Sequence, residues 1–401
     1  NIKVSPNGDY VVFAVTQANE KNNCYDTNLW IYKSKIGEIH PLTTSNKDSS
    51  FIFLNDTTVL FQSSRSNFDA SKDKKQKGTY FWKMSLLGGE AQPACHLDLN
   101  VTDIKRIDQT KFIVSGFYDF DRDADWTEIE DLPFWLNGQD YISGIRTGLY
   151  ILDSTKTEDN LELLTDKFEN VNSWELSEDK KTIVYSSTTY EHLMPLKENL
   201  FSINLDKKQK KQIEGEFSGI FNISFKDDSN IIIVAATGKK YGINEDPQIY
   251  EANLKKLKSF RVSKDDFDHS PGNSVGSDSR FGGGQMFKQT DKGLLFIETK
   301  YDDAVLACFK DGEISHIIDE PGSVECFDTD GDLIYYIAMK DLKLPELFIY
   351  DGTNHQQISS FSEALKDETL AQIESFDYLS NGSTIRGYVI KPLNYEEGKK
   401  Y

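Results

Sequence analysis

Apolar and polar residues alternate in short runs along most of the chain, and clusters of Gly, Asn and Asp separate the runs. The clearest unit is Ser323–Ser359. Val324 and Cys326 alternate with polar neighbours, Thr329-Asp330-Gly331 supplies a tight turn, and Leu333–Met339 is a strongly apolar strand. A polar loop leads to a third strand, Glu346–Tyr350. Asp351-Gly352 then opens a weaker fourth strand ending near Ile358. Period-2 alternation bounded by turn residues is strand chemistry, because successive strand side chains point to opposite faces. Two strand–turn–strand pairs in so short a stretch predict one antiparallel four-stranded sheet.

The same order recurs in Asn172–Glu214, with its turn at Ser177-Glu178-Asp179, and in Gly219–Arg261, with its turn at Phe225-Lys226-Asp227-Asp228. Other copies turn at Ser5-Pro6-Asn7-Gly8, Leu54-Asn55-Asp56, Ile107-Asp108-Gln109 and Thr290-Asp291-Lys292-Gly293. Seven copies spaced roughly 40 to 70 residues apart predict a seven-bladed β-propeller of four-stranded antiparallel blades over residues 1–361. A lone blade has two apolar faces and covers neither, so blades must stack in a ring.

Three stretches break the pattern. Tyr118–Thr147 is a long connection rich in aromatics (Trp126, Phe134, Trp135, Tyr141) and acids (Asp119, Asp121, Asp123, Asp125, Glu128, Glu130, Asp131). Connections this long are commonly functional, and its aromatics predict an ordered lid or rim. Asp265–Gly284 is a Gly/Ser/Asp loop. Phe361–Leu370 has a weak helical look, and Ile373–Pro392 reads as a hairpin around Asn381-Gly382, so 362–401 forms a separate segment.

Composition narrows the function. The 401 residues carry a net charge of −20, a field that repels nucleic acid and anionic membrane. The longest apolar run, Leu333–Met339, is far too short to span a bilayer. The basic runs Lys72–Lys77 and Lys207–Lys211 read as solvated tips. Four cysteines without a CxxC pair, and six scattered histidines, suggest no metal and no cofactor and point to a reducing cytoplasm. The chain begins at Asn1 inside a predicted strand, so an N-terminal trimming is expected. Gly272–Gly276 (GNSVG) matches the G-x-S-x-G string, but a nucleophile elbow needs a strand before it and a helix after it. Ser274 has loop sequence on both sides.

Several stretches resemble the prolyl oligopeptidase (S9) family of serine peptidases, in its acylaminoacyl-peptidase-like branch. They are the junction Glu374–Lys391-Pro392 with Gly398-Lys399-Lys400-Tyr401, then Asp131–Gly138 (DLPFWLNG), then Ser277–Gly284 (SDSRFGGG). The resemblance implies an N-terminal propeller that gates an α/β-hydrolase domain, of which 362–401 holds only the entry hairpin. The nucleophile, acid and base would lie beyond Tyr401, so no catalytic residue is assigned here and the fragment alone is expected to be inactive. The implied partners are the chain's own hydrolase domain and short or N-blocked peptides, with homo-oligomers compatible.

Substrate-binding candidates on the propeller rim are Glu130 and Asp131 for an amine, and Arg146 or Arg280 for a carboxylate or carbonyl. The plainer alternatives are a solvated acidic rim, and an Arg280 paired with Asp278 that merely orders its loop. His192 and His269 read as polar loop residues. Two other functions remain open from sequence: a stand-alone scaffold for protein partners, and a glycosidase with paired carboxylates at the ring axis.

Overall fold

In a computed structural model of the chain, the described residues are 1–65, 77–118, 129–137, 140–156, 160–264, 267–277, 279 and 283–401. Among them the fold is all-β, with short 3-10 turns at Glu20–Asn22, Gly242–Asn244 and Phe361–Leu365 and no α-helix. The helical look of Phe361–Leu370 thus reduces to that last 3-10 turn.

The strands form antiparallel runs in chain order. The first sheet is Ile2–Val4, Tyr10–Asn19, Cys24–Lys33 and Glu38–Pro41; the second is Asp48–Asn55, Thr58–Ser63, Thr79–Ser85 and Gln92–Leu97. The third is Asn100–Arg106, Lys111–Phe117, Gly148–Asp153 and Leu161–Leu163. An eight-stranded sheet follows. It joins one run, from Glu169–Leu176 to Gln209–Phe217, to a second, from Gly219–Asp227 to Lys258–Arg261, through a single parallel pair, Glu214 with Lys258. The next sheet joins two more runs in the same way, through Ala304 and Ser323. The second of these runs, Ser323–Thr329 to His355–Gln357, is the unit that stands out in the sequence.

Turn chemistry sets these registers. Asp108, Asp227 and Asp351 each accept backbone N–H bonds from residues two and three further on, closing their own turns. At Asn381-Gly382 both residues take positive φ (49° and 84°), the geometry a two-residue hairpin requires. Ile373–Ser380 and Ser383–Ile390 pair around it in full register.

Packing explains why both faces of each strand are apolar. Neighbouring residues on one strand go to opposite sides. Val12 packs toward Phe51 and Phe61 of the second sheet, while Val11 packs toward Tyr335 and Leu347 of the last run. Leu294 and Leu295 divide likewise between the preceding and following runs. Buried clusters therefore bridge successive runs, and one cluster closes the circuit. It joins Ile2, Phe13 and Tyr32 to Cys326, Tyr335 and Leu347.

Candidate functional site at the rim of the ring

The first strands of the runs converge in the middle of the molecule. Lys3 feels the charges of Asp103, Lys105, Glu175 and Asp328 from other sheets, and burial, the largest effect, lowers its pKa. Two of the three acids there are matched by cations. Glu175 takes Lys105 Nζ at 2.6 Å, and Asp328 is held by Lys288. Asp103, the third acid there, accepts the Ile104 N–H at 2.8 Å.

The described parts of the connections between second and third strands, including 129–137, 140–147 and 190–197, share one end of the ring with the hairpin. Arg386 of the hairpin bonds Asp302 at 2.9 Å and Asp377 at 3.0 Å, and lies 5.5 Å from the Tyr301 ring centroid. This end is the candidate site.

Its rim is built around a buried ion pair. Arg146 Nη2 donates to Asp131 Oδ2 at 2.9 Å, with side-chain exposures of only 8% and 4%. Asp131 Oδ2 also accepts the Gly144 N–H at 2.6 Å. Arg146 further donates to the carbonyls of Ile145 and Tyr190, and its guanidinium lies 3.7 Å from the Tyr190 ring centroid. Leu132 pairs with Leu193, through Leu132 N–H to the His192 carbonyl and Met194 N–H to the Leu132 carbonyl, both at 2.8 Å. The long connection is thereby stitched to the next one.

Two of the expected substrate contacts, Asp131 and Arg146, thus lie against each other. Asp131 is buried and not part of a solvated rim, because its carboxylate is needed to neutralise Arg146. Glu130 is exposed, and its N–H donates to Ser143 Oγ at 3.3 Å. Arg280 and Asp278 lie outside the described residues, as do Asp119, Asp121, Asp123, Asp125, Trp126, Glu128 and Lys72–Gln76. Beside Glu130 the rim presents a group of apolar side chains. Leu132, Phe134, Trp135, Leu136 and Tyr141 are exposed, and Phe134 stacks on Tyr141 at 6.2 Å.

The sequence reading missed a second cluster. His269 is not an unattached loop residue: its Nδ1 lies 2.8 Å from Glu298 Oε2, and His316 Nε2 lies 2.5 Å from Glu298 Oε1. The buried Glu298 carboxylate fastens the 267–277 segment to its sheet. The one available signal was a Glu inside the apolar strand Gly293–Lys300. Lys210 is likewise tied down, to Asp166 and the buried Glu169. His192 stays exposed. Ser274 is exposed in coil and, among the described residues, no helix follows it, so GNSVG lacks the setting of a nucleophile elbow. Among the described residues, no group of three or more His, Cys, Asp or Glu is placed to hold a metal ion.

No protein-family model and no curated protein matches the chain by sequence. Solved structures do. The Pyrococcus horikoshii acylaminoacyl peptidase (orthorhombic crystal form) superimposes with a TM-score of 0.75 at 17% identity, covering 98% of this chain and 57% of that one. A Mycobacterium tuberculosis puromycin-hydrolyzing peptidase gives 0.68 at 12% identity, covering 98% and 58%. The β-propeller domain of the Trilobed protease from Pyrococcus furiosus, described as having an open velcro topology, gives 0.61 at 15% identity, covering 92% and 97%. The chain spans a little over half the length of the two peptidases and nearly all of the isolated domain. It is therefore an all-β, propeller-like protein with the fold of that β-propeller domain and of a little over half of an acylaminoacyl peptidase.

Proposed function

We propose that the chain is the substrate-gating, seven-bladed propeller portion of a serine peptidase of the prolyl oligopeptidase family, acting on short or N-blocked peptides. The observation that carries this reading is the hairpin Ile373–Ser380/Ser383–Ile390. Its pairing register puts Phe376, Tyr378, Ile385 and Val389 on one face, and all four are exposed. A two-stranded hairpin by itself is marginal in water, and a contiguous apolar patch marks a partner surface. A hydrolase domain seated on it would cover the patch and enclose a chamber against the rim. The fold likeness to peptidases nearly twice as long supports this.

In this reading the ring limits access by size. Acyl transfer runs on a serine, a histidine and an acid of the hydrolase domain, so residues 1–401 alone are inactive. No described helix is long and apolar enough to cross a membrane, and all four cysteines are free thiols. Purified 1–401 offered a peptide anilide tests the assignment. No turnover is expected, and activity blocked by a serine-directed inhibitor should appear once the following domain is restored. Hydrolysis by 1–401 alone contradicts it. A free-standing scaffold leaves the apolar hairpin without a cover.

A further inference from the structure

We propose that the turn by which the chain leaves the ring is a bolt across the seam where the last run meets the first sheet, so that turn and seam open only together. The turn is Phe361–Leu365, and residues 366–372 lead from it into the hairpin. It has one fastening on each side of the seam, and both act on Phe361. The backbone of this residue is tied to the last run, and its ring is packed against the first sheet.

The fastening to the last run is Glu346, the first residue of the strand Glu346–Tyr350 and 1% exposed. Its carboxylate accepts from Ser359 Oγ, from the Phe361 N–H at 3.0 Å and from the Ser362 N–H at 2.6 Å. A carboxylate buried this deeply is costly unless its oxygens are bonded, and these donors come from the stretch leaving the ring. Two serines return the tie. Ser359 Oγ accepts the Leu347 N–H at 2.8 Å, and Ser362 Oγ accepts the Leu344 N–H at 3.1 Å. Releasing the turn takes the Phe361 and Ser362 donors from a buried acid.

The fastening to the first sheet is the Phe361 ring. It packs on the cluster that joins Ile2, Phe13 and Tyr32 to Cys326, Tyr335 and Leu347. It stands edge-on to Trp30 at 5.0 Å and to Phe13 at 6.4 Å, an arrangement favourable beyond the area it buries. The Val4 N–H bond to Asp328 Oδ2 at 2.8 Å crosses the same seam. Opening the seam draws the Phe361 ring away from Trp30 and Phe13 and pulls on the bonds to Glu346. Loosening Glu346 in turn frees the ring. Coupling of this kind is reciprocal. The inference stands on contacts within the ring and does not depend on the peptidase reading.

The test is amide hydrogen exchange on the 401-residue chain, with alkylation of Cys326, 3% exposed in the same cluster, as a second reporter. Glu346→Gln keeps the shape of the side chain but sets an amide NH2 against N–H donors. It should quicken the Phe361 and Ser362 amides at least about tenfold. The Val4 amide and Cys326 should quicken with them, although these Glu346 bonds lie on the other side of the seam. Phe361→Ala removes the contacts across the seam. It should quicken Val4 and, through the turn, the Ser362 amide, and it carries the test by itself if Glu346→Gln does not fold. Ile233, 0% exposed in another run, should stay protected in both variants. Phe361 and Ser362 amides unchanged in Glu346→Gln, Val4 and Cys326 unchanged there, Ser362 unchanged in Phe361→Ala, or Ile233 quickening in step with the seam overturns the proposal.

Discussion

Replacing Asp131 by Ala removes the partner of a guanidinium that is 8% exposed, together with the acceptor of the Gly144 N–H. Charge-assisted hydrogen bonds of this kind contribute about 1.5–3 kcal/mol each, and stranding one member of a buried pair costs about 3–5 kcal/mol. The cost falls on the rim. Asp131 and Arg146 hold the 129–147 connection to 190–194, while the core clusters of the ring lie elsewhere. Hydrogen exchange at the Leu132, Gly144 and Met194 amides should therefore quicken by about two to three and a half decades, with little change in the global melting temperature. Asp131→Asn/Arg146→Met, which removes both charges, should recover most of the protection. Unchanged exchange at these amides in Asp131→Ala would refute the claim that the ion pair builds the rim.

Other expectations follow from the same geometry. Gly322 sits at φ +126°, and a Cβ there would lie 2.4 Å from the Met339 carbonyl oxygen; Gly322→Ala should cost at least about 1–3 kcal/mol in denaturant unfolding. Phe13 is 2% exposed in the closing cluster, so Phe13→Ala should cost about 3–5 kcal/mol and quicken exchange of the Val4 amide. Hydrogen bonds from their own turns hold the carboxyls of Asp108, Asp153, Asp179, Asp227 and Asp351 below the usual carboxylate range. Groups lowered in the folded state stabilise it above the unfolded pKa of about 4 and lose that contribution as pH falls through their folded values. The melting temperature should accordingly drop below about pH 4, and equal values at pH 3 and pH 6 would contradict this.

The strand order was legible because each unit carries its own punctuation. Asp-led turns such as Asp227 and Asp351 and the Asn381-Gly382 hairpin act within a few residues, and apolar runs such as Ile231–Ala235 announce burial on both faces. Contacts set by the ring were not legible. Nothing near Asp131 in sequence says that Arg146 will take its charge. His269, Glu298 and His316 are 29 and 18 residues apart and meet only because three segments converge. At Asp131 and Arg146 burial sets the two charges against each other, while Glu130 stays exposed beside Phe134, Trp135 and Tyr141.

The reading frame beyond Tyr401 tests the central claim most directly. The lengths of the matching peptidases call for roughly 300 further residues. These should include an apolar strand, a His-Gly-Gly turn and a G-x-S-x-G between strand and helix. A stop codon directly after Tyr401 would contradict the account, and the apolar hairpin would then have to be explained by a separate partner.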